Sequence, residues 1–278
     1  MIRWILPAAF LLLGSFQAQA ARIITLAPHL AEMVCTVGAC DELVGTINFS
    51  DFPEQVKALP RIGDARAINL EQVLSLQPDL ILSWDGGTPE QTVARLRGLG
   101  LRVEPIRVQT LADVGLALLR IGALLGREDA ACQVQGAFEQ KIDSLRERYQ
   151  HATPIRVMYQ LEPEPVYTIN ADSPISGAIE LCGAENIFAD YKHLAGPVSR
   201  EAVIAADPDV IIFGKQDDTD GIRRGWARFP GMRARRSDNL IGVDADTLAR
   251  ATTRMAIGTE KLCAVLDQAR KRIQQLAE

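Results

Sequence analysis

Two stretches decide the fold: EQVLSLQPDLIL, Glu71 to Leu82, and EAVIAADPDVII, Glu201 to Ile212. Both read Glu-x-Val-(Leu/Ile)-x-x-x-Pro-Asp-(Leu/Val)-Ile-(Leu/Ile), 130 residues apart and without a gap. Each copy opens a short helical pattern near its glutamate. Pro-Asp then ends it, because proline cannot continue a helix and restricts the residue before it. The apolar run that follows has the length and β-branched content of a buried strand. Two copies in one register imply two lobes built alike.

The flanks extend this pattern. In the first half RIITLAP (22–28), ELVGTIN (42–48), LILSW and RVEPI (102–106) read as strands, separated by the helical patterns HLAEMVCTVGA and PEQTVARLRGLG, the latter closed by Gly100. In the second half IRVMYQL (155–161), VYTI (166–169), VIIFG and LIGVD (240–244) alternate with SPISGAIELCGA, the Glu201 helix and a helix around Trp226. The two early helices end in the same pair, Gly38-Ala39 and Gly183-Ala184. Short apolar strands alternating with amphipathic helices predict an α/β class with parallel sheets, here two Rossmann-like lobes. Between them TLADVGLALLRIGALLGREDAACQVQGAFEQKIDSLRERYQ (110–150) has no strand pattern. Gly126 breaks it, which predicts a helix over 128–149, long enough at ~1.5 Å per residue to span a lobe. The expected organisation is a leader at 1–20, a lobe at 21–109, a helical connector at 110–150 and a second lobe at 151–278. Ligands of open α/β sheets bind beyond the carboxyl ends of the strands, so a site belongs in a cleft between the lobes.

The leader is MIRWILPAAFLLLGSFQAQA, with Arg3, an apolar run from Ile5 to Leu13, and Ala18-Gln19-Ala20 before Ala21. That is the layout of a secretory signal cleaved after Ala20, too short in its apolar part to span a bilayer. The 278-residue chain carries a net charge of −5, and losing Arg3 makes it one unit more acidic. Such a balance offers no field for nucleic acid, and the one basic cluster, Arg223 to Arg236, reads as a solvated face. In an oxidising compartment Cys35, Cys40, Cys132, Cys182 and Cys263 can pair in several ways. Cys35 with Cys40 would close a local loop, Cys182 with Cys263 would staple distant helices, and Cys132 is expected as a buried free thiol.

The strand ends carry His29, then Phe49-Ser50-Asp51, then Trp84-Asp85-Gly86-Gly87. The second half adds Tyr167, Asp172-Ser173, His193 and, in DADTLAR, Asp246 and Arg250. Aromatics with few polar groups suit a large ligand held by buried surface. No G-x-S-x-G, H-E-x-x-H or phosphate loop is present, and three scattered histidines make a weak case for a metal site. Ser173 reads as a helix cap.

Signal, twin lobes, connecting helix and paired glutamate helices resemble the class III periplasmic solute-binding proteins of ABC importers, which carry cobalamin, haem and ferric siderophores. INLEQVLSLQPDLILSWDGG, INFSDFP, LCGAENIF and VSREAV are most similar to the members that bind cobalamin. The resemblance implies a monomeric carrier, not an enzyme, with no catalytic residue and no resident cofactor. Cobalamin or a related corrinoid is its cargo; haem or a ferric siderophore is the alternative, and a Zn/Mn carrier or an exported enzyme is less well matched. It implies that Glu71 and Glu201 dock onto arginines of a dimeric inner-membrane permease, and that Phe49, Trp84, Tyr167, Asp246 and Arg250 contact the ligand. It also implies a Cys182–Cys263 disulfide, and cleft closure of small amplitude. Two family tryptophans are replaced, by Ala65 and Ala195.

Overall fold

The computed structural model describes residues 21–215 and 218–277; the leader reading lies outside them. The first half runs β1 (Ile23–Thr25), α1 (Pro28–Thr36), β2 (Leu43–Thr46), α2 (Leu70–Ser75), β3 (Leu80–Asp85), α3 (Glu90–Gly98) and β4 (Val103–Arg107). Then come α4 (Leu111–Leu125) and α5 (Glu128–Tyr149). The second half runs β5 (Ile155–Gln160), β6 (Glu162–Pro163), β7 (Val166–Ile169), α6 (Pro174–Leu181), β8 (Ala184–Asn186), β9 (Ala195–Pro197), α7 (Arg200–Ala206) and β10 (Val210–Gly214). It finishes with α8 (Thr219–Ala227), α9 (Arg233–Arg236), β11 (Leu240–Val243), α10 (Ala245–Leu248) and α11 (Met255–Ala277).

The repeat is visible in the topology. The first sheet has the order β2-β1-β3-β4 and the second β8-β5-β10-β11, read in the matching direction. All pairs in both are parallel. The repeated units α2–β3 and α7–β10 therefore hold the same place in the two lobes. Their caps match as well: Asn69 accepts from the Gln72 N–H and Ser199 from the Ala202 N–H. VYTI forms a strand, but in a separate antiparallel sheet of order β6-β7-β9 rather than a parallel one.

Gly126 ends α4 in the left-handed region at φ 63°, a conformation that costs a glycine little. At its other end Thr110 and Asp113 form a capping box. The turn folds α5 back along α4. A Cβ at Gly122 would lie 2.3 Å from the Ala131 Cβ, and one at Gly115 would lie 3.2 Å from Gln135 and Glu139, so small residues set the close approach of an antiparallel pair. The connector is thus a braced helix pair whose long member, α5, has 22 residues. Its ion pair from Lys141 to Glu260 at 2.7 Å ties it to α11.

The largest apolar cluster joins α1, α4, α5, α6 and α11 across both halves. Smaller cores lie on the outer face of each sheet, one around Ile24 and Ile81, the other around Phe213 and Trp226. Cys35 bonds to Cys40 and Cys182 to Cys263. The expectation of a buried Cys132 is wrong: the thiol is free and exposed. The inward stripe of α5 is Ala131, Phe138, Ile142, Leu145 and Tyr149. Cys132 is one residue, about 100° of helix, off that stripe. Among the described residues no helix is long and apolar enough to cross a membrane.

Candidate interlobe ligand cleft

Parallel strands deliver their carboxyl ends, and the loops that follow, to one edge of each sheet. After β2 the chain turns through Asn48 to Phe52. The base of this loop is pinned by buried hydroxyls: Thr46 Oγ1 bonds Thr25 Oγ1 at 2.9 Å and donates to Ser50 Oγ at 2.8 Å. Arg61 adds a bond from Nη2 to the Ser50 carbonyl at 2.8 Å. On this fixed base Phe49 takes φ 66° and leaves its ring 80% exposed. A bulky side chain in the left-handed region is costly, and burial of the ring does not offset that cost here.

After β3, the Trp84 ring lies against the turn Asp85–Thr88. A Cβ at Gly87 would sit 1.8 Å from the indole, so only glycine leaves room for it. The Trp84 N–H donates to Thr88 Oγ1 at 2.9 Å. On the other side the ring meets His29, the second residue of α1, edge to face with centroids 5.2 Å apart. His29 is buried, its Nε2 has no partner, and burial pushes its pKa down to about 4. The unfolded histidine titrates near ~6.5, so the folded state binds fewer protons between the two values. Stability is therefore full above pH ~6.5 and falls as pH drops toward 4, by roughly 3 kcal/mol at most. His29→Leu should flatten that fall. Urea midpoints at pH 7, 5.5 and 4 would show it, and parallel curves for the two proteins would refute the assignment.

On the second lobe Tyr167 stands half-buried on β7, opposite Glu162 and Pro197. Beside it Tyr191 donates to the Pro197 carbonyl at 3.1 Å and its ring covers Gly196. Its ring also meets His193, 6.1 Å away. Glycine at 196 allows that approach. Ala195, at the start of β9, and Ala65, in the turn capped by Asp64, are both exposed. His29 and His193 stay on separate lobes, and among the described residues no three His, Cys, Asp or Glu side chains gather as a metal site.

The two lobes are joined by the segment after α10. Arg250 bonds Asp51, on the Phe49 loop, and lies 3.3 Å from Asp246. The hydrogen bond from Arg250 holds the Asp51 carboxyl below the usual carboxylate range. Deeper, Glu32 of α1 accepts from Arg254 Nε at 2.7 Å, from Arg254 Nη2 at 2.5 Å and from Thr252 Oγ1 at 2.6 Å. The Arg254 guanidinium lies 4.0 Å from the Phe52 ring centre. So Asp246 and Arg250 are brought together as the sequence suggested, and Arg250 also reaches the Phe49 loop. Trp84 stands near the carboxyl end of β3 and Tyr167 within β7, one on each lobe. Asp51 was named only as part of the strand-end stretch after Phe49, with no partner; Glu32, Phe52 and Tyr191 were not singled out as site residues. The sequence offered a signal only for the aromatic pair, since Glu32 and Arg254 are 222 residues apart.

Glu71 and Glu201 each occupy the second position of their helix, α2 and α7, and both are exposed. The twofold likeness of the lobes thus extends to a pair of exposed carboxylates.

Known proteins share this fold. The chain is 33% identical to the vitamin B12-binding protein of Vibrio cholerae over 91% of each sequence. To that of Yersinia pestis it is also 33% identical, over 92% of this chain and 91% of the relative. The crystal structure of the periplasmic vitamin B12 binding protein of Vibrio cholerae superposes with a TM-score of 0.83 and 32% identity, covering 91% of this chain and 98% of that one. A periplasmic heme-binding protein in complex with two hemes shares the fold at a TM-score of 0.80 and 23% identity, over 90% and 98% of the two chains. The profile of periplasmic binding proteins matches residues 23–247, and the chain belongs to that family.

Proposed function

We propose that this chain is an exported carrier that takes up cobalamin or a related corrinoid between its lobes and presents it to an ABC permease. The observation that carries the reading is Phe49: a residue 80% exposed, held at φ 66° on the loop after β2, in a chain 33% identical to B12-binding relatives. An exposed aromatic kept in a costly backbone conformation fits a surface waiting for a flat, partly apolar partner. Trp84 and Tyr167 supply further ring faces, and Asp246 and Arg250 meet polar edges. The small side chains Ala65 and Ala195 leave room at the rim where bulkier members narrow it. No bond is made or broken in this role, and the mature chain begins at Ala21.

The two glutamates support a permease as the partner. A dimeric permease presents two equivalent basic pockets, and Glu71 and Glu201 are equivalent exposed carboxylates on equivalent helices. Reversing both to arginine should abolish permease-dependent uptake while leaving ligand affinity unchanged. Uptake of labelled cobalamin in cells measures this, and normal uptake would sink the docking role.

Calorimetric titration of the refolded, ligand-free chain with cyanocobalamin tests the reading directly. Saturable one-to-one binding is expected; no binding, together with tight binding of hemin or a ferric siderophore, would overturn it. Phe49→Gly should weaken cyanocobalamin about tenfold through loss of a stacked ring. Its folding stability should stay within about 0.5 kcal/mol, because relief of backbone strain offsets the added chain entropy of glycine. A variant with unchanged affinity would remove Phe49 from the site.

A further inference from the structure

The geometry points to Asp51 as the residue that sets the charge selectivity of the cleft: with Arg250 held between Asp51 and Asp246, the rim accepts a ligand edged with neutral carboxamides and rejects one edged with carboxylates. This rests on the corrinoid reading above and goes beyond it, by naming which peripheral chemistry the cleft admits and why.

Arg250 is the cation an anionic chelate would need. Its side chain is only 18% exposed, and it is already engaged from both lobes, by Asp51 and by Asp246. The neighbouring cations are engaged too. Arg254 is committed to Glu32 through Nε and Nη2, and Lys57, which lies near Asp51, is held by Glu54 at 2.8 Å. Arg61, the further cation at this loop, is held by the carbonyls of Ser50 and Lys57. At Arg250 itself two carboxylates, Asp51 and Asp246, meet one guanidinium, a local excess of one negative charge. An incoming carboxylate would have to displace an aspartate from Arg250 and would then sit beside it, uncompensated. At separations of a few ångström that is a penalty of roughly tenfold or more in affinity.

A carboxamide meets no such penalty. Guanidinium has five N–H donors, so Arg250 can serve an amide carbonyl while keeping its aspartates. The side chains of Asp51 and Asp246 are 51% and 52% exposed, so their oxygens can accept from an amide NH₂ at the rim. The pair reads the ligand's edge as donor and acceptor together, which a neutral amide provides and a carboxylate does not.

The test compares ligands that differ by one charge: cyanocobalamin and its separate b-, d- and e-monocarboxylic acids, each with one amide hydrolysed. The wild-type chain should bind at least one acid tenfold or more weakly than cyanocobalamin, and Asp51→Asn, which keeps the shape and removes the charge, should bring that ratio within threefold. Equal affinity for all four ligands in the wild type, or a ratio that survives in Asp51→Asn, would overturn the proposal. If cyanocobalamin itself does not bind, the corrinoid reading falls. The charge rule is then read on hemin against hemin dimethyl ester with the same two proteins. Preference for the ester, lost in Asp51→Asn, supports the rule; any other outcome overturns it.

Discussion

Serine at both Cys182 and Cys263 should lower the unfolding midpoint by about 10 °C or more, because the bridge closes a loop of 81 residues. Loop-closure entropy for that length is ~4.5 kcal/mol, and a chain of this size loses ~2–4 °C per kcal/mol. The bridge joins the end of α6 to α11, with both cysteines fully buried. The fold itself should survive. Arg270 of α11 independently grips the same corner, bonding the carbonyls of Cys182 at 2.6 Å, Gly183 at 2.9 Å and Thr153 at 2.7 Å. Serine at Cys35 and Cys40, separated by 5 residues, should cost about 2 kcal/mol on the same argument. Thermal scans of the two double variants by circular dichroism make the comparison. Equal shifts would mean that loop length does not set the contribution.

Glu32→Ala should cost ~3–5 kcal/mol, the penalty of leaving one half of a buried ion pair behind. Glu32 is 2% exposed and Thr252 fully buried, so the Thr252 hydroxyl left behind cannot turn to water, and Arg254, its side chain 19% exposed, reaches water only in part. Urea unfolding measures the loss. Glu32→Ala with Arg254→Ala should cost less than the sum of the single changes by at least ~0.5 kcal/mol, as expected of residues in direct contact. Strict additivity would show that the two side chains do not act together. The outer pair, Asp51 with Arg250, is half-exposed at its carboxylate and should contribute only ~1 kcal/mol or less to stability. The inner contact is the one that holds the lobes, and the outer one is the one the proposal gives to ligand.

Much of this fold was legible because its signals are local or periodic. The Glu-to-Pro-Asp repeat placed α2, β3, α7 and β10, and Gly126 placed the start of α5 within the connector. The C-terminal stripe of α5 was equally legible, and Cys132 lies off it; a general preference of thiols for burial outweighed the helical period that should have decided. The antiparallel sheet was missed because VYTI has the same apolar content whichever way its neighbours run. The interlobe contacts were not legible at all. Glu32 looks like an ordinary helix residue, and nothing near Asp51 in sequence announces an arginine 199 residues away. Only the assembled lobes bring such groups together, so the aromatic part of the candidate cleft could be read in advance and its charge balance could not.

The helix pair α4–α5 and the Glu32 contact fix the lobes at two separated places, which leaves little freedom for one lobe to swing against the other. If Glu71 and Glu201 dock as proposed, they are like the pins of a plug with a set gauge. Loading the cleft hardly alters the distance between them, so a permease that measured pin spacing alone could not tell a full carrier from an empty one. On the proposed reading the signal lies at the socket's edge instead, where Phe49, 80% exposed here, would be covered by ligand.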